Sequence, residues 1–435
     1  MRIKLVMPSM DGQEFRLPPL SLAMLAALTR PEIEISIVDE AVEQTNFDEQ
    51  VDLVGISCTT AVVPRAYEIA TEYRKRGVKV VLGGAHPSLI PHEAVRYADS
   101  VCIGEAEGVW GEILADAERG RLKKFYRSDG YRSLQGLPIP RRDLFKAKHY
   151  LPIDGVQISR GCPFACDFCA VTTIFGHTYR FRPVKDVLAE IDALKHRYLF
   201  FHDDNIVGNP KYSRELFRAL IPYNKHWIGQ ASTTVIRDPE LLKLMAKSGC
   251  KGLLVGFESL SEENLRRSLK RHNNPRQYKE VVKKLHDQGI TISGAFIFGL
   301  DDDDGSVFER TLEFAVDAEL DVAQFNWLTP YPSTPIYNRL MEENRLINPQ
   351  WWLTGNGPGT EIGETVFYRP RMMSADELRE GSLWVRRNFY SISSILRRFF
   401  GKSRLSLNRL SLFDLLLYGK VNWGYRAQYA KEDKD

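Results

Sequence analysis

Cysteine is scarce, with six in 435 residues. That is too few for a disulfide framework in a chain of this length, so each is read as a thiol or a metal ligand. No apolar run reaches the length of a membrane span; the longest are strand-sized or broken by charges, which sets a membrane-spanning chain aside. Neither sign of charge dominates. The 59 Lys and Arg against 56 Asp and Glu leave +3, a balance that gives no argument for nucleic acid, and no nucleic-acid partner is expected. The composition, 43% apolar and 26% charged, also excludes a disordered chain. Behind Met1 come Arg2, Lys4 and a strand-like run, with no apolar signal core and no small-residue cleavage site, so a cytoplasmic location is expected. What is left is a soluble chain long enough for two or three cores without covalent staples.

Ile3 to Pro8, Glu34 to Val38, Val51 to Ser57, Val78 to Gly83 and Ser100 to Gly104 are short, mostly β-branched runs that read as buried strands. Helical patterns lie at Leu20 to Thr29, Pro64 to Arg76, His92 to Ala98 and Gly108 to Glu118. This alternation predicts an α/β domain with a doubly wound parallel sheet over residues 1–125, ligands sitting beyond the carboxyl ends of its strands. The loops at those ends are GISCTT, GGAHP and IGEAE. They offer the hydroxyls of Ser57, Thr59 and Thr60 and close backbone approach at Gly83, Gly84 and Gly104, although such glycines also serve tight turns alone. Through VGISCTT, VVLGGAHPSLIPHEA and SVCIGEAEGVW in that order, the stretch resembles the cobalamin-binding domain, flavodoxin-like in fold, that precedes the catalytic barrel in many radical enzymes. The resemblance implies cobalamin held near Ser57, Thr59, Thr60, Gly83, Gly84, His86, Gly104 and Glu105. Members that bind cobalt through a protein histidine carry Asp-x-His-x-x-Gly after the first strand. Here that loop reads Ser9-Met10-Asp11-Gly12-Gln13, so no histidine ligand to cobalt is expected from it.

After a linker at 126–150, Cys162, Cys166 and Cys169 stand in RGCPFACDFCAV, a C-x3-C-x2-C spacing behind the strand-like Val156 to Ser159. Three thiolates on one short loop can hold three irons of a 4Fe-4S cubane and leave the fourth open to an exogenous ligand. A closed structural zinc needs four ligands, and the nearest further candidate is His177. With Phe168 before the last cysteine, the motif resembles the signature of the radical S-adenosylmethionine (SAM) superfamily. Further strands read at Tyr198 to His202, Trp227 to Ala231, Gly252 to Gly256, Thr291 to Phe298 and Val322 to Leu328, with helical patterns between them. Together they match the (β/α)6 partial TIM barrel of that superfamily over residues 151–335. The resemblance implies that Phe168 packs near the adenine and that Asp203 or Asp204, in FFHDDN, accepts from the methionine ammonium. It also implies that Glu258 and Ser259 meet the ribose or carboxylate, and that Gly294 and Leu328 lend backbone to the adenine. Read alone, the two aspartates also suit a helix cap, and Gly294 suits close packing. Cys58, Cys102 and Cys250 lie in apolar runs and read as structural. His86, His92 and His202 are isolated and suit loop hydrogen bonds.

The resemblance implies reductive cleavage of SAM to a deoxyadenosyl radical, with electrons from a reductant such as flavodoxin or ferredoxin. With a cobalamin domain in front, a methyltransferase acting on an unactivated carbon leads. A cobalamin-linked cyclase or ring-rearranging enzyme is the alternative, and a non-catalytic cobalamin or iron–sulfur sensor the distant one. A methylthiotransferase would need three N-terminal cysteines, and only Cys58 and Cys102 precede the triplet. Residues 336–435 read as a mainly helical, aromatic extension, with helical patterns at Ile336 to Glu343 and Ala375 to Arg387 and a Gly355 to Gly359 connection. From Arg386 to Asp435 there are 11 Lys or Arg against 4 Asp or Glu. The mixed apolar and basic stretches Ile395 to Phe400 and Leu405 to Tyr418 fit peripheral contact with an anionic membrane, or a helical cap with a solvated basic face. The first of these goes with a small-molecule, lipid-like substrate.

Overall fold

The β-branched runs fold as parallel strands because they are largely apolar and most are followed by a helix that covers one face, β2 alone of the first five passing directly to the next strand. The computed structural model describes residues 1–10, 17–128, 130–354, 365–401 and 412–431. The N-terminal domain runs β1 (Arg2–Met7), α1 (Leu20–Leu28), β2 (Glu34–Asp39), β3 (Leu53–Ser57), α2 (Val63–Lys75), β4 (Lys79–Gly83), α3 (Ala85–Leu89), α4 (Pro91–Ala94), β5 (Ser100–Ile103), α5 (Trp110–Glu118) and β6 (Phe125–Arg127). Its sheet has the order β2-β1-β3-β4-β5-β6 with every pair parallel. The order reverses beside β1, which opens a crevice at the carboxyl ends of the central strands. Two expectations change here. β6 carries the sheet to Arg127, past position 125 where the domain was expected to end and the linker to follow. The helix expected at His92 to Ala98 is instead the pair α3 and α4, placed earlier because Pro91 starts a new first turn.

The second domain runs β7 (Ile153–Val156), β8 (Ser159–Gly161), α6 (Ala170–Phe175), β9 (Tyr179–Phe181), α7 (Val184–Asp192), β10 (Tyr198–Phe201), α8 (Pro210–Leu220), β11 (His226–Ala231), α9 (Pro239–Lys247), β12 (Cys250–Glu258), α10 (Glu262–Arg267), α11 (Tyr278–Asp287), β13 (Thr291–Phe298), α12 (Val307–Asp317) and β14 (Val322–Trp327). Strands β7 and β10 to β14 form an open six-stranded parallel sheet, the partial barrel expected. The strand expected at Val156 to Ser159 is divided. The barrel takes Ile153–Val156, while Ser159–Gly161 pairs antiparallel with β9 as a separate two-stranded ribbon. Helix starts follow side-chain caps: Asn209 for α8, Asp238 for α9 and Ser261 for α10 each accept a first-turn N–H.

The C-terminal extension adds α13 (Pro335–Glu342), α14 (Ala375–Phe389), α15 (Ile392–Phe399) and α16 (Leu412–Lys431). Ser374 and Glu377 close a capping box on α14. α14 lies on β14 and α12, and Leu378, Val385 and Phe389 join the barrel core. The extension also reaches back to the first domain. Trp351 and Trp352 belong to the core under β3 and β4, and the Trp352 indole donates to Glu93 of α4 at 3.0 Å. The Asp11 to Gln13 loop, the Gly355 to Gly359 connection and residues 405–411 lie outside the described residues. Among the described residues no helix is long and apolar enough to cross a membrane.

Candidate functional site

The cysteine loop hangs between β8 and α6, so the ribbon and not the barrel strand positions it. Gly161 ends the ribbon at φ 85°, where an added Cβ would lie 2.0 Å from the Thr178 carbonyl oxygen; only glycine fits. Cys162, Cys166 and Cys169 are free and partly exposed, whereas Cys58, Cys102 and Cys250 are buried as expected. Burial pushes the Cys166 thiol up to about 12 and Cys169 to about 11, with the Lys270 ammonium opposing the rise. Such thiols ionise on binding metal. Among the described residues no three His, Cys, Asp or Glu side chains are grouped to hold a single ion. Three spaced thiols on one loop offer three ligands to a polynuclear cluster, one short of the four that a closed structural zinc takes.

Lys270 itself escaped the sequence reading, since it sits in the run RRSLKRHNN, which reads as solvated. It is instead mostly covered, its side chain 11% exposed and paired with Glu258, and its ammonium stands 5.9 Å from the Phe168 ring. The β12 register shifts between Gly256 and Glu258, and Glu258 takes φ 61°, turning its carboxylate inward. Gly256 makes the room: a Cβ there would meet the Glu258 carboxylate at 2.2 Å.

The two aspartates separate. Asp203 is 1% exposed and engaged, accepting from the Ile158 N–H at 3.1 Å and from the Ser159 N–H and hydroxyl, the latter at 2.6 Å. Burial still holds its carboxyl up at about 7. It ties the end of β10 to the β7–β8 junction chiefly through Oδ1, while Oδ2 only shares the Ile158 N–H at 3.3 Å. Asp204, raised by burial to about 6, lines the large cavity. The hydroxyl of Ser259 accepts from Ser261 N–H at 3.1 Å. Gly294 is a packing glycine, for a Cβ there would lie 2.8 Å from Leu320 and 3.1 Å from Phe257. Leu328 is a core residue whose N–H donates to Phe298 O at 2.9 Å.

The large cavity, about 650 Å³, lies between the two domains. Ser57, Gly83, Gly84, Gly104 and Glu105 line it from the first domain, while Gln157, Arg160, Val171, His202 and Asp204 line it from the second. Ser88, unnoticed in the sequence, pins two of its loops together by donating to Gly84 O at 2.7 Å and accepting from Gly104 N–H at 2.8 Å. Thr59 and Thr60 face a smaller cavity with Ala85, Leu89, Phe168, Cys169, Ala170 and Tyr331. His86 departs from expectation. It is fully buried, its Nδ1 3.2 Å from the Thr60 hydroxyl and its Nε2 3.2 Å from Glu93, so both ring nitrogens are spent inside the domain. Across the cavity mouth Arg160 pairs with Glu107 and Arg180 with Glu105, fastening the ribbon to the IGEAE loop. The lining joins apolar side chains such as Leu22, Val171 and Ile174 to loop backbone at Gly83, Gly84 and Gly104 and to the polar Ser57 and Gln157, a mixture whose chemistry fits cobalamin's apolar ring and amide arms.

A doubly wound domain with open glycine loops, set over a partial barrel whose cysteine loop shares cavities with it, defines a cobalamin-linked radical enzyme. Residues 13–114 match the B12 binding domain and residues 156–315 the Radical SAM superfamily. The chain is 30% identical over 397 residues to bacteriochlorophyllide d C-12(1)-methyltransferase of Chlorobaculum tepidum, covering 88% of this chain and 85% of that one. It is 26% identical to hopanoid C-2 methylase of Rhodopseudomonas palustris over 78% and 67% of the two chains. The fold matches the radical SAM methyltransferase TsrM of Kitasatospora setae with a TM-score of 0.72 at 16% identity, covering 100% and 98%. The chain therefore belongs to the cobalamin-binding radical SAM family, as a methyltransferase whose cofactors are a 4Fe-4S cluster, SAM and cobalamin.

Proposed function

We propose that the enzyme methylates an unactivated carbon of an apolar, lipid-like small molecule. The observation that carries this is the smaller cavity, about 390 Å³, wedged between the cluster loop and the first domain, where Ala85, Leu89, Phe168, Ala170 and Tyr331 outnumber the hydroxyls of Thr59 and Thr60 and the Cys169 thiol, and no carboxylate or cation is among the lining residues. A lining of that kind holds a hydrocarbon segment and gives a charged one no partner. Relatives named for methylating bacteriochlorophyllide and hopanoids, both hydrophobic, support the same class.

When bound, the cluster, SAM and cobalamin supply the reductive cleavage and the methyl group. The chain's residues hold and shield. Cys162, Cys166 and Cys169 hold the cluster. Asp204 accepts from the methionine ammonium, and Asp203 positions it by fixing the end of β10. The Glu258–Lys270 pair offers one acceptor and one cation to the ribose and carboxylate. Ser57, Gly83, Gly84, Gly104 and Glu105 take the corrin's amide arms, with Thr59 and Thr60 above the smaller cavity. Electrons come from a flavodoxin- or ferredoxin-type donor, and the protein works in the cytoplasm at a membrane surface.

The test is anaerobic reconstitution with iron, sulfide and hydroxocobalamin, then turnover with methyl-deuterated SAM and an extract fractionated by polarity. Label should enter the apolar fraction. Label confined to water-soluble products would overturn the substrate class, and deoxyadenosine without any label transfer would favour the cyclase reading.

A further inference from the structure

One helix of the C-terminal layer is turned inside out. The side chains that α15 buries are Ser394 and Arg398, the latter fully, its guanidinium donating to the carbonyls of Leu320 (2.9 Å), Asp321 (3.1 Å) and Phe389 (2.9 Å). Facing out are Ile392, Leu396 and Phe400, 47%, 50% and 59% exposed. Positions i, i+4 and i+8 line one face of a helix, so the three side chains form a continuous apolar ridge. A single exposed leucine is ordinary, but a ridge on a helix that buries an arginine instead is the pattern of a contact surface.

The surroundings identify the contact. Arg397 stands beside the ridge, outward and also paired with Asp317 at 2.8 Å. On α16, Trp423 is 59% exposed with the Arg426 guanidinium 5.7 Å from its ring. α14 packs against both α15 and α16, which places the ridge and Trp423 in one helical layer. In this layer the exposed basic side chains among the described residues are Arg387, Arg397 and Lys420, and the stretch from Arg386 to Lys431 has a single acidic residue, Asp414. A second copy laid on this surface would bring like charges together. Anionic headgroups around inserted apolar side chains would not.

We propose that this layer docks on an anionic lipid membrane, with Ile392, Leu396 and Phe400 at the acyl boundary, Trp423 at the interface and the basic residues against headgroup phosphates. The purpose rests on the lipid-like substrate read above, but the surface stands without it. The test is sedimentation of the full-length protein with phosphatidylglycerol-containing vesicles and with pure phosphatidylcholine vesicles. Wild type should pellet with the anionic vesicles only, and raised salt should release it. The triple variant Ile392→Ser/Leu396→Ser/Phe400→Ser should partition at least about tenfold less, given the apolar area withdrawn. Lys420→Glu/Arg426→Glu, on a different helix, should weaken binding and reduce its salt dependence. Wild type left in the supernatant, or undiminished pelleting of both variants, overturns the proposal. So does a lipid-free dimer that the triple variant dissolves while no vesicle binding is seen. Deoxyadenosine formation and methyl transfer are read separately. Vesicle binding without methyl transfer would retire the functional reading alone, and methyl transfer by a protein that ignores vesicles would retire this surface alone.

Discussion

Asp203 and Asp204 are adjacent in the chain and differ in what their oxygens can still do. FFHDDN contains both and cannot separate them, because the direction of each carboxylate is set by where β10 ends against the β7–β8 junction. A charge-assisted hydrogen bond contributes about 1.5–3 kcal/mol, so Asp204→Asn should weaken SAM binding roughly tenfold or more, read by equilibrium dialysis on reconstituted enzyme with an unchanged melting temperature. Asp203→Asn should instead lower the melting temperature, since its oxygens satisfy three buried donors. Cys166→Ala should abolish the cluster's visible absorbance together with deoxyadenosine formation; survival of either contradicts the cluster assignment. A pH test isolates Asp303, buried between the Leu300 N–H at 3.0 Å and the Asn264 amide at 2.8 Å, its carboxyl raised by burial to about 7. The folded state then holds this proton where the unfolded chain has lost it, so between about pH 4 and 7 the wild type loses stability as pH rises. Asp303→Asn carries no such proton. Its deficit in melting temperature against wild type should shrink from pH 5 to pH 8, and a constant deficit would remove the buried-acid account.

The β8–β9 ribbon carries the cysteine loop at one end and the interdomain arginines along its length. It was illegible in the sequence for a physical reason. Each strand has three residues, too few for a period, and Arg160, Arg180 and Gly161 are not strand formers by propensity. The barrel strands were legible because they are apolar, β-branched and aromatic runs, buried on one face and half-buried on the other. Lys270 was hidden by its charged neighbours, and His86 was misplaced because a loop histidine reads the same whether it turns toward a ligand or into the domain. Arg160 is largely buried between Glu107 and Glu105. Removing one member of a buried ion pair costs about 3–5 kcal/mol, whereas replacing both by apolar residues is close to neutral. Arg160→Ala should therefore lower stability by roughly that amount in urea titration, and Arg160→Met/Glu107→Met should recover most of it. Equal losses in the two variants would mean that the pair does not hold the ribbon to the first domain.

At the scale of the molecule, neither domain encloses the large cavity alone. The first supplies loop backbone at Gly83, Gly84 and Gly104, the second supplies Gln157, Arg160 and the α6 side chains Val171 and Ile174, and Trp351 and Trp352 of the extension brace the first domain from behind. A corrin held this way bridges both domains, and its binding energy is shared between two walls. Blocking either wall should then expel it. Ser57→Trp from the first domain and Val171→Trp from the second should each reduce corrin retained after desalting from stoichiometric to near zero, with iron content unchanged because neither residue is a cluster ligand. Saturating corrin at about a hundred times its dissociation constant adds about 2.7 kcal/mol to a protein that binds it only when folded. The wild type should accordingly melt a few degrees higher with hydroxocobalamin and neither variant should respond. If Val171→Trp kept full corrin and full stabilisation, the first domain would hold the cofactor by itself, and the cavity's second wall would be free for substrate.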